Sequence, residues 1–168
     1  SWTNLSLSVN TQYTYNLVNT DTAGNTTTTS SSSKYTLANV PTSLSIDPTS
    51  STSLTPSWNA NSNPNGTEYY VENTTAVTNS GWITATSWLL SSLTCSTAYN
   101  FRVKARNGDG TETAFTGTVQ GTTVQCSPAA PSSLGGHVAG SWTNDNTPTL
   151  TFTLSDPDAS DTVKFRIQ

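Results

Sequence analysis

Leu93-Thr-Cys-Ser-Thr-Ala-Tyr-Asn-Phe-Arg-Val-Lys-Ala-Arg-Asn-Gly-Asp-Gly110 is the stretch on which the fold turns. Tyr99, Phe101, Val103 and Ala105 alternate with Asn100, Arg102, Lys104 and Arg106. A period of two sends the first set inward and the second toward water, which describes a β-strand covered on one face. Asn107-Gly-Asp-Gly110 then supplies strong turn chemistry, so residues 111–124 should return as the other arm of a hairpin.

Composition supports an all-β chain. Ser, Thr and Asn dominate, while there are only three Glu, three Lys and no Met among the 168 residues. Disordered chains are also poor in apolar residues, but they lack aromatics and β-branched side chains. This chain carries five Trp, six Tyr and four Phe beside its Thr and Val, the residues that suit a pleated, half-buried surface. A net charge of −4 with few Lys and Arg excludes a nucleic-acid partner. No apolar run reaches the roughly 18–20 residues that a membrane-spanning helix needs. The chain opens at Ser1 without a signal-peptide pattern, so export implies processing or a longer parent. Export itself is inferred from the Ser/Thr/Asn-rich surface, the scarce Lys, two cysteines and the Asn-x-Ser/Thr sequons at Asn4, Asn25, Asn65 and Asn73. The localisation expected is secreted or cell surface.

An internal repeat sets the organisation. At an offset of 86, Trp2, Leu7, Thr11, Tyr13, Tyr15, Leu17 and Gly24 fall on Trp88, Leu93, Thr97, Tyr99, Phe101, Val103 and Gly110. At an offset of 90, Pro41-Thr-Ser-Leu44 falls on Pro131-Ser-Ser-Leu134. Residues 39–126 therefore form one complete module, 1–38 the C-terminal part of a similar one, and 127–168 the N-terminal part of a further sandwich. Within the complete module strands are expected at 41–47, 52–58, 67–74, around Trp82, at 88–90, and at 97–106 and 111–124. Leu54, Trp58, Tyr69, Val71, Trp88, Leu93, Phe101 and Val103 are its expected core.

Leu54-x-x-x-Trp58, Tyr69-x-Val71 and Leu93-x-x-x-Thr97-x-Tyr99-x-Phe101-x-Val103-x-Ala105 resemble a fibronectin type III domain, in the form found in bacterial extracellular enzymes and surface proteins. The resemblance implies tandem immunoglobulin-like Greek-key β-sandwiches. It makes Tyr99 and Tyr13 structural tyrosine-corner residues whose hydroxyls bond back to the upstream backbone. In such a sandwich Cys95 precedes the sixth strand and Cys126 follows the seventh, at the same pole, which implies a disulfide; the alternative is two free thiols. Pro56 departs from the family pattern and should break or bulge its strand. Residues 130–168 fit the pattern less well and read as a different sandwich subtype.

Candidate chemistry is sparse. Asp156, Asp158 and Asp161, with Asp145, offer oxygens to a Ca²⁺ ion near a module junction, against the plainer reading of an Asp-Pro turn. No other cofactor is expected. His137 has no nucleophile placed beside it, and Glu68, Glu72 and Glu112 lie on or next to strands where solvated faces are the simpler role. The chain reads as no enzyme. Tyr70, Trp82 and Trp142 are candidates for a carbohydrate platform. The expected function is a structural spacer, stalk or filament-forming repeat segment; the alternative is a carbohydrate- or cell-binding accessory module of an extracellular enzyme or adhesin. The expected partners are neighbouring modules, other copies in a filament or surface layer, and carbohydrate.

Overall fold

The computed structural model describes residues 6–135, 151–158 and 161–166 of the 168. Trp2, Asn4, His137, Trp142 and Asp145 lie outside the described residues. The described part contains strands and no helix. In chain order these are β1 (Gln12–Tyr15), β2 (Val18–Thr20), β3 (Thr26–Thr28), β4 (Ser32–Tyr35), β5 (Thr42–Ser50), β6 (Ser53–Asn59), β7 (Glu68–Asn73), β8 (Thr78–Ile83), β9 (Ala98–Arg106), β10 (Val119–Thr122), β11 (Ser132–Gly135) and β12 (Thr151–Thr153).

The central sandwich has two layers. One is a four-stranded antiparallel sheet in the order β10-β9-β7-β8, the other the β5-β6 pair extended by residues 87–90 through bridges of Leu54 to Leu90 and Ser57 to Ser87. The period-two pattern of β9 does what its residues require. Tyr99, Phe101, Val103 and Ala105 are buried, while Arg102, Lys104 and Arg106 face outward. They meet Leu54 and Trp58 from β6 and Tyr69 and Val71 from β7. Trp58 packs edge-on against Tyr69 with ring centroids 5.6 Å apart. Each large apolar side chain so buried contributes roughly 1.5–3 kcal/mol before entropy is set against it. Burial pushes the Tyr69 phenol pKa up, and a hydrogen bond with Asn63 pulls partly against it.

Three expectations are corrected. Trp88 is only partly buried and packs against the core from its margin. The regular part of the last strand shrinks to Val119–Thr122, because between Glu112 and Val119 the Thr113 and Thr116 hydroxyls, rather than backbone carbonyls, accept from Ala105 and Val103 N–H. β6 runs unbroken through Pro56, which is fully buried opposite Ile46. The irregularities of the β5-β6 ladder lie between Thr42 and Ser45 and between Pro48 and Ser50. The reason is direction. On the outer side of β6, Leu54 N–H donates to Leu90 O, Trp58 N–H to Thr86 O, and Trp88 N–H to Pro56 O. Pro56 would donate its missing N–H to this side, so the lost rung thins the ladder to residues 87–90 rather than breaking β6.

The opening segment repeats the end of the central module bond by bond. Tyr13 Oη accepts from Ser8 N–H and Tyr99 Oη from Thr94 N–H, both at 3.0 Å. Thr36 Oγ1 accepts from Thr11 N–H and donates to Ser8 O; Thr123 Oγ1 accepts from Thr97 N–H and donates to Thr94 O. Leu17 N–H donates to Thr29 Oγ1, and Val103 N–H to Thr116 Oγ1. At the turns, Asp21 Oδ1 accepts from Ala23 and Asn25 N–H, while Asn107 Oδ1 accepts from Asp109 and Thr111 N–H. The pairing β1 with β4 matches β9 with β10, Tyr15 opposite Ser32 as Phe101 is opposite Val119.

Candidate functional site

The cationic face of β9 is built into a ladder. Arg102 pairs with Glu72 and Arg106 with Glu68, each at 2.6 Å, and Lys104 pairs with Glu112. The three acids thus neutralise a row of cations, and their pairs are partly exposed and individually weak. The bond to Glu68 raises the Arg106 pKa further above its already high value. Tyr70 and Trp82 lie 5.4 Å apart with planes inclined at 50°. Lys104 sits over both rings and Arg106 lies 4.3 Å from the Trp82 centroid. The protein's own cations thus lie against both rings, Lys104 against each and Arg106 against Trp82. Trp142, the third candidate, is outside the described residues.

Cys95 and Cys126 are joined in a disulfide, with Cα atoms 5.1 Å apart. Beside it lie Asp156, Asp158 and Asp161, whose carboxylate oxygens come within 4.8 Å of one another. Two of them have backbone work. Asp158 Oδ2 accepts from Cys126 N–H at 2.8 Å, and Asp156 Oδ1 accepts from Asp158 N–H at 2.8 Å. The three acids are the side-chain oxygens a Ca²⁺ ion would draw on there, with backbone carbonyls and water needed to reach the six to eight it takes. The sequons divide by accessibility. Asn25 and Asn65 are exposed, whereas Asn73 is fully buried and its Oδ1 accepts from Thr75 and Ala76 N–H. Asn73 is therefore corrected as a glycosylation candidate: its amide has no path to solvent.

The most developed polar constellation is the joint between the opening segment and the central module. Asn10 is buried at a positive φ of 41°. Its Nδ2 donates to Thr67 Oγ1 at 2.8 Å and its Oδ1 accepts from Gly108 N–H at 3.0 Å. Asn107 Nδ2 donates to Thr36 O at 3.1 Å, and Asp109 Oδ2 accepts from Tyr35 N–H at 3.1 Å with Lys34 Nζ 3.7 Å away. A Cβ on Gly108 would overlap the Tyr35 ring, so only glycine allows this approach. The connection is clasped too. Asn39 N–H donates to Asn63 Oδ1, Asn63 Nδ2 returns a bond to Asn39 O, and Asn61 Nδ2 holds Val40 O. At the other end Cys126 N–H donates to Asp158, a side-chain oxygen of the next segment, as Asn39 N–H does to Asn63.

Sequence reasoning read Asn107–Gly110 as a hairpin turn and missed its second task. It also missed Asn10, Thr36 and Thr123. The repeat carried a signal for the threonines, since both stand at the same distance from Thr11 and Thr97 once one inserted residue is allowed.

The fibronectin type III domain profile matches residues 39–122, half of the 168-residue chain. Among solved structures, the FN1-FN3 domains of chicken CNTN1 are 20% identical over 73% of this chain and 45% of theirs, with a TM-score of 0.47. The present chain thus spans less than half of that structure. The two-domain fibronectin type III segment of chicken tenascin is 17% identical over 69% of this chain and 78% of its own, with a TM-score of 0.46. FN3tt is 22% identical over 53% of this chain and 97% of its own, with a TM-score of 0.43. Comparison with curated protein sequences found no match. With its β10-β9-β7-β8 sheet facing the β5-β6 layer, and this profile match across the whole central sandwich, the chain belongs to the fibronectin type III family.

Proposed function

We propose that the chain is a spacer segment of a secreted or cell-surface protein, in which successive modules are held end to end by stiff polar joints. The observation that carries this reading is the Asn10 joint. Hydrogen bonds from Asn10 to Thr67, Gly108 to Asn10, Tyr35 to Asp109 and Asn107 to Thr36 cross between the opening segment and the central module. Module interfaces within a chain move by default unless something restrains them. A satisfied network around a buried Asn is such a restraint, because breaking the bonds of Asn10 leaves buried or half-buried partners desolvated. Members of this family are modules of larger proteins and generally carry no catalysis of their own. The disulfide supports an oxidising, exported setting.

The test is ¹⁵N relaxation on the intact chain. Residues 12–35 and 98–106 should share one rotational correlation time. Gly108→Ala, which drives a methyl group into the Tyr35 ring, should give the two regions separate tumbling while the central module stays folded. Independent tumbling in the unmodified chain would sink the reading.

A further inference from the structure

We propose that Asn65-Gly66 is a site of spontaneous deamidation, and that its conversion loosens the joint between the opening segment and the central module. The proposal rests on the spacer reading of that joint and adds the chemical event that ends its stiffness.

The chain holds two Asn-Gly pairs, Asn65-Gly66 and Asn107-Gly108. Such a pair is reactive because glycine puts no side chain in the way when its main-chain nitrogen approaches the preceding carboxamide. That nitrogen attacks the asparagine Cγ. The new C–N bond closes a succinimide ring, and the Cγ–Nδ2 bond breaks. The glycine amide proton goes to solvent base and the departing nitrogen takes one up from water, so ammonia is released. Water then opens either ring carbonyl to give aspartate or isoaspartate. The net change is one water in and one ammonia out, with no oxidation or reduction.

The fold treats the two pairs oppositely. Asn65 and Gly66 are both exposed. Neither the Asn65 carboxamide nor the Gly66 N–H makes a hydrogen bond among the described residues. The turn is closed one residue later, where the Thr67 N–H and hydroxyl both donate to Pro64 O. A Cβ on Gly66 would meet nothing within 4 Å, so the reacting pair stands in open space. Asn107 is buried. Its Oδ1 accepts from Asp109 and Thr111 N–H, and its Nδ2 donates to Thr36 O. The attacking group, Gly108 N–H, is held by Asn10 Oδ1 at 3.0 Å. Ring closure at Asn107 therefore waits for the joint to open, whereas Asn65 needs only the motion of its own turn.

The place of Asn65 gives the consequence. Thr67, two residues on, is 3% exposed and accepts from Asn10 Nδ2 at 2.8 Å. Asn65, Gly66 and Thr67 line the same cleft of about 190 Å³ as Asn10, Tyr35 and Gly108. Isoaspartate routes the main chain through an added methylene just ahead of Gly66, which displaces Thr67 from Asn10. Either product also brings a carboxylate to a cleft that Glu68 lines already. Asn10 Nδ2 then loses its acceptor, Gly108 N–H loses its hold, and Asn107 becomes the next residue to react.

The experiment ages the intact chain in mildly alkaline buffer and follows both pairs by peptide mass spectrometry, with fragmentation that separates isoaspartate from aspartate. Asn65 should convert at least about tenfold faster than Asn107, whose reaction requires local opening. In the aged chain the Gly108 amide should exchange at least about tenfold faster than in the fresh chain. Aged Asn65→Gln, whose longer side chain closes a ring far more slowly, should keep the fresh value. Asn10→Gly keeps the positive φ of that position and removes both of its joint bonds. It should speed conversion of Asn107 and leave that of Asn65 unchanged. Equal rates at the two pairs, or an Asn65 that outlasts Asn107, overturns the proposal. So does Gly108 protection that persists once Asn65 is converted. If residues 12–35 and 98–106 tumble separately in the fresh chain, this proposal and the spacer reading fall together. If they tumble as one body both before and after conversion of Asn65, this proposal alone falls.

Discussion

At the residue scale, single side-chain oxygens hold the corners of this fold. Tyr99 is buried, and its hydroxyl is the acceptor for Thr94 N–H. Tyr99→Phe should lower unfolding free energy by about 1–2 kcal/mol in urea, because an amide loses its partner without loss of packing. Thr123→Val, equal in shape, should cost about 2 kcal/mol, since the hydroxyl serves both Thr97 N–H and Thr94 O. Asp21 and Asn107 occupy equivalent turn positions, but only the carboxylate titrates. The Asn25 side chain, followed by backbone N–H groups of the same turn, holds the Asp21 pKa below its ordinary 3.8. A depressed folded-state value means that the stabilisation is present above 3.8 and disappears as pH falls through the folded value. Protection of the β2 and β3 amides, taken relative to intrinsic exchange at the same pH, should therefore fall below that point. In Asp21→Asn, where the amide oxygen keeps the acceptor, this acid dependence should vanish; its persistence would assign it to another group.

At the element scale, Pro56 shows how a local rule is satisfied in an unexpected place. The ring sits in the middle of a buried strand because its missing donor faces residues 87–90, an edge segment already reduced to bridges. Pro56→Val should supply an N–H to the Trp88 carbonyl. We expect a new slowly exchanging amide at position 56 and slower exchange at Trp88 and Leu90. Stability should change by no more than about 1 kcal/mol, since the gained bond offsets the chain entropy that proline removes from the unfolded state. A freely exchanging amide at 56 would mean that the outer ladder does not exist there. Gly121 is another element-scale device: a Cβ at this position would overlap Ile46, so its bare backbone lets β10 close against β5.

At the scale of the whole molecule, the disulfide matters both for the central sandwich and for the segment C-terminal to it. Cys95 and Cys126 are 31 residues apart in sequence. Closing such a loop contributes roughly 3–4 kcal/mol in the chain-entropy model. The double variant Cys95→Ser with Cys126→Ser should lose stability of that order in urea unfolding of the central module. Cys126 also donates to Asp158, so the same variant should raise amide exchange at Ala129, whose N–H is held by Ser155 O. A change confined to global stability, with Ala129 unaffected, would separate the staple from the second joint.

The sequence by itself determined the strand content, the repeat, the type III resemblance and most of the core. These come from period two and from residue spacing, both of which are local or simply additive along the chain. Tyr99, Phe101 and Val103 were readable because alternation states which face a side chain takes before any partner is known. Tertiary structure alone decided what those faces and turns meet. Pro56 could not be placed without knowing which neighbour its nitrogen faces. That Lys104 and Arg106 lie against the Tyr70 and Trp82 rings, and that the Asn73 sequon is buried, likewise depended on neighbours distant in sequence. The joint was hidden for the same reason: Asn10 and Gly108 are 98 residues apart, and a hydrogen bond across that distance has no signature in sequence spacing.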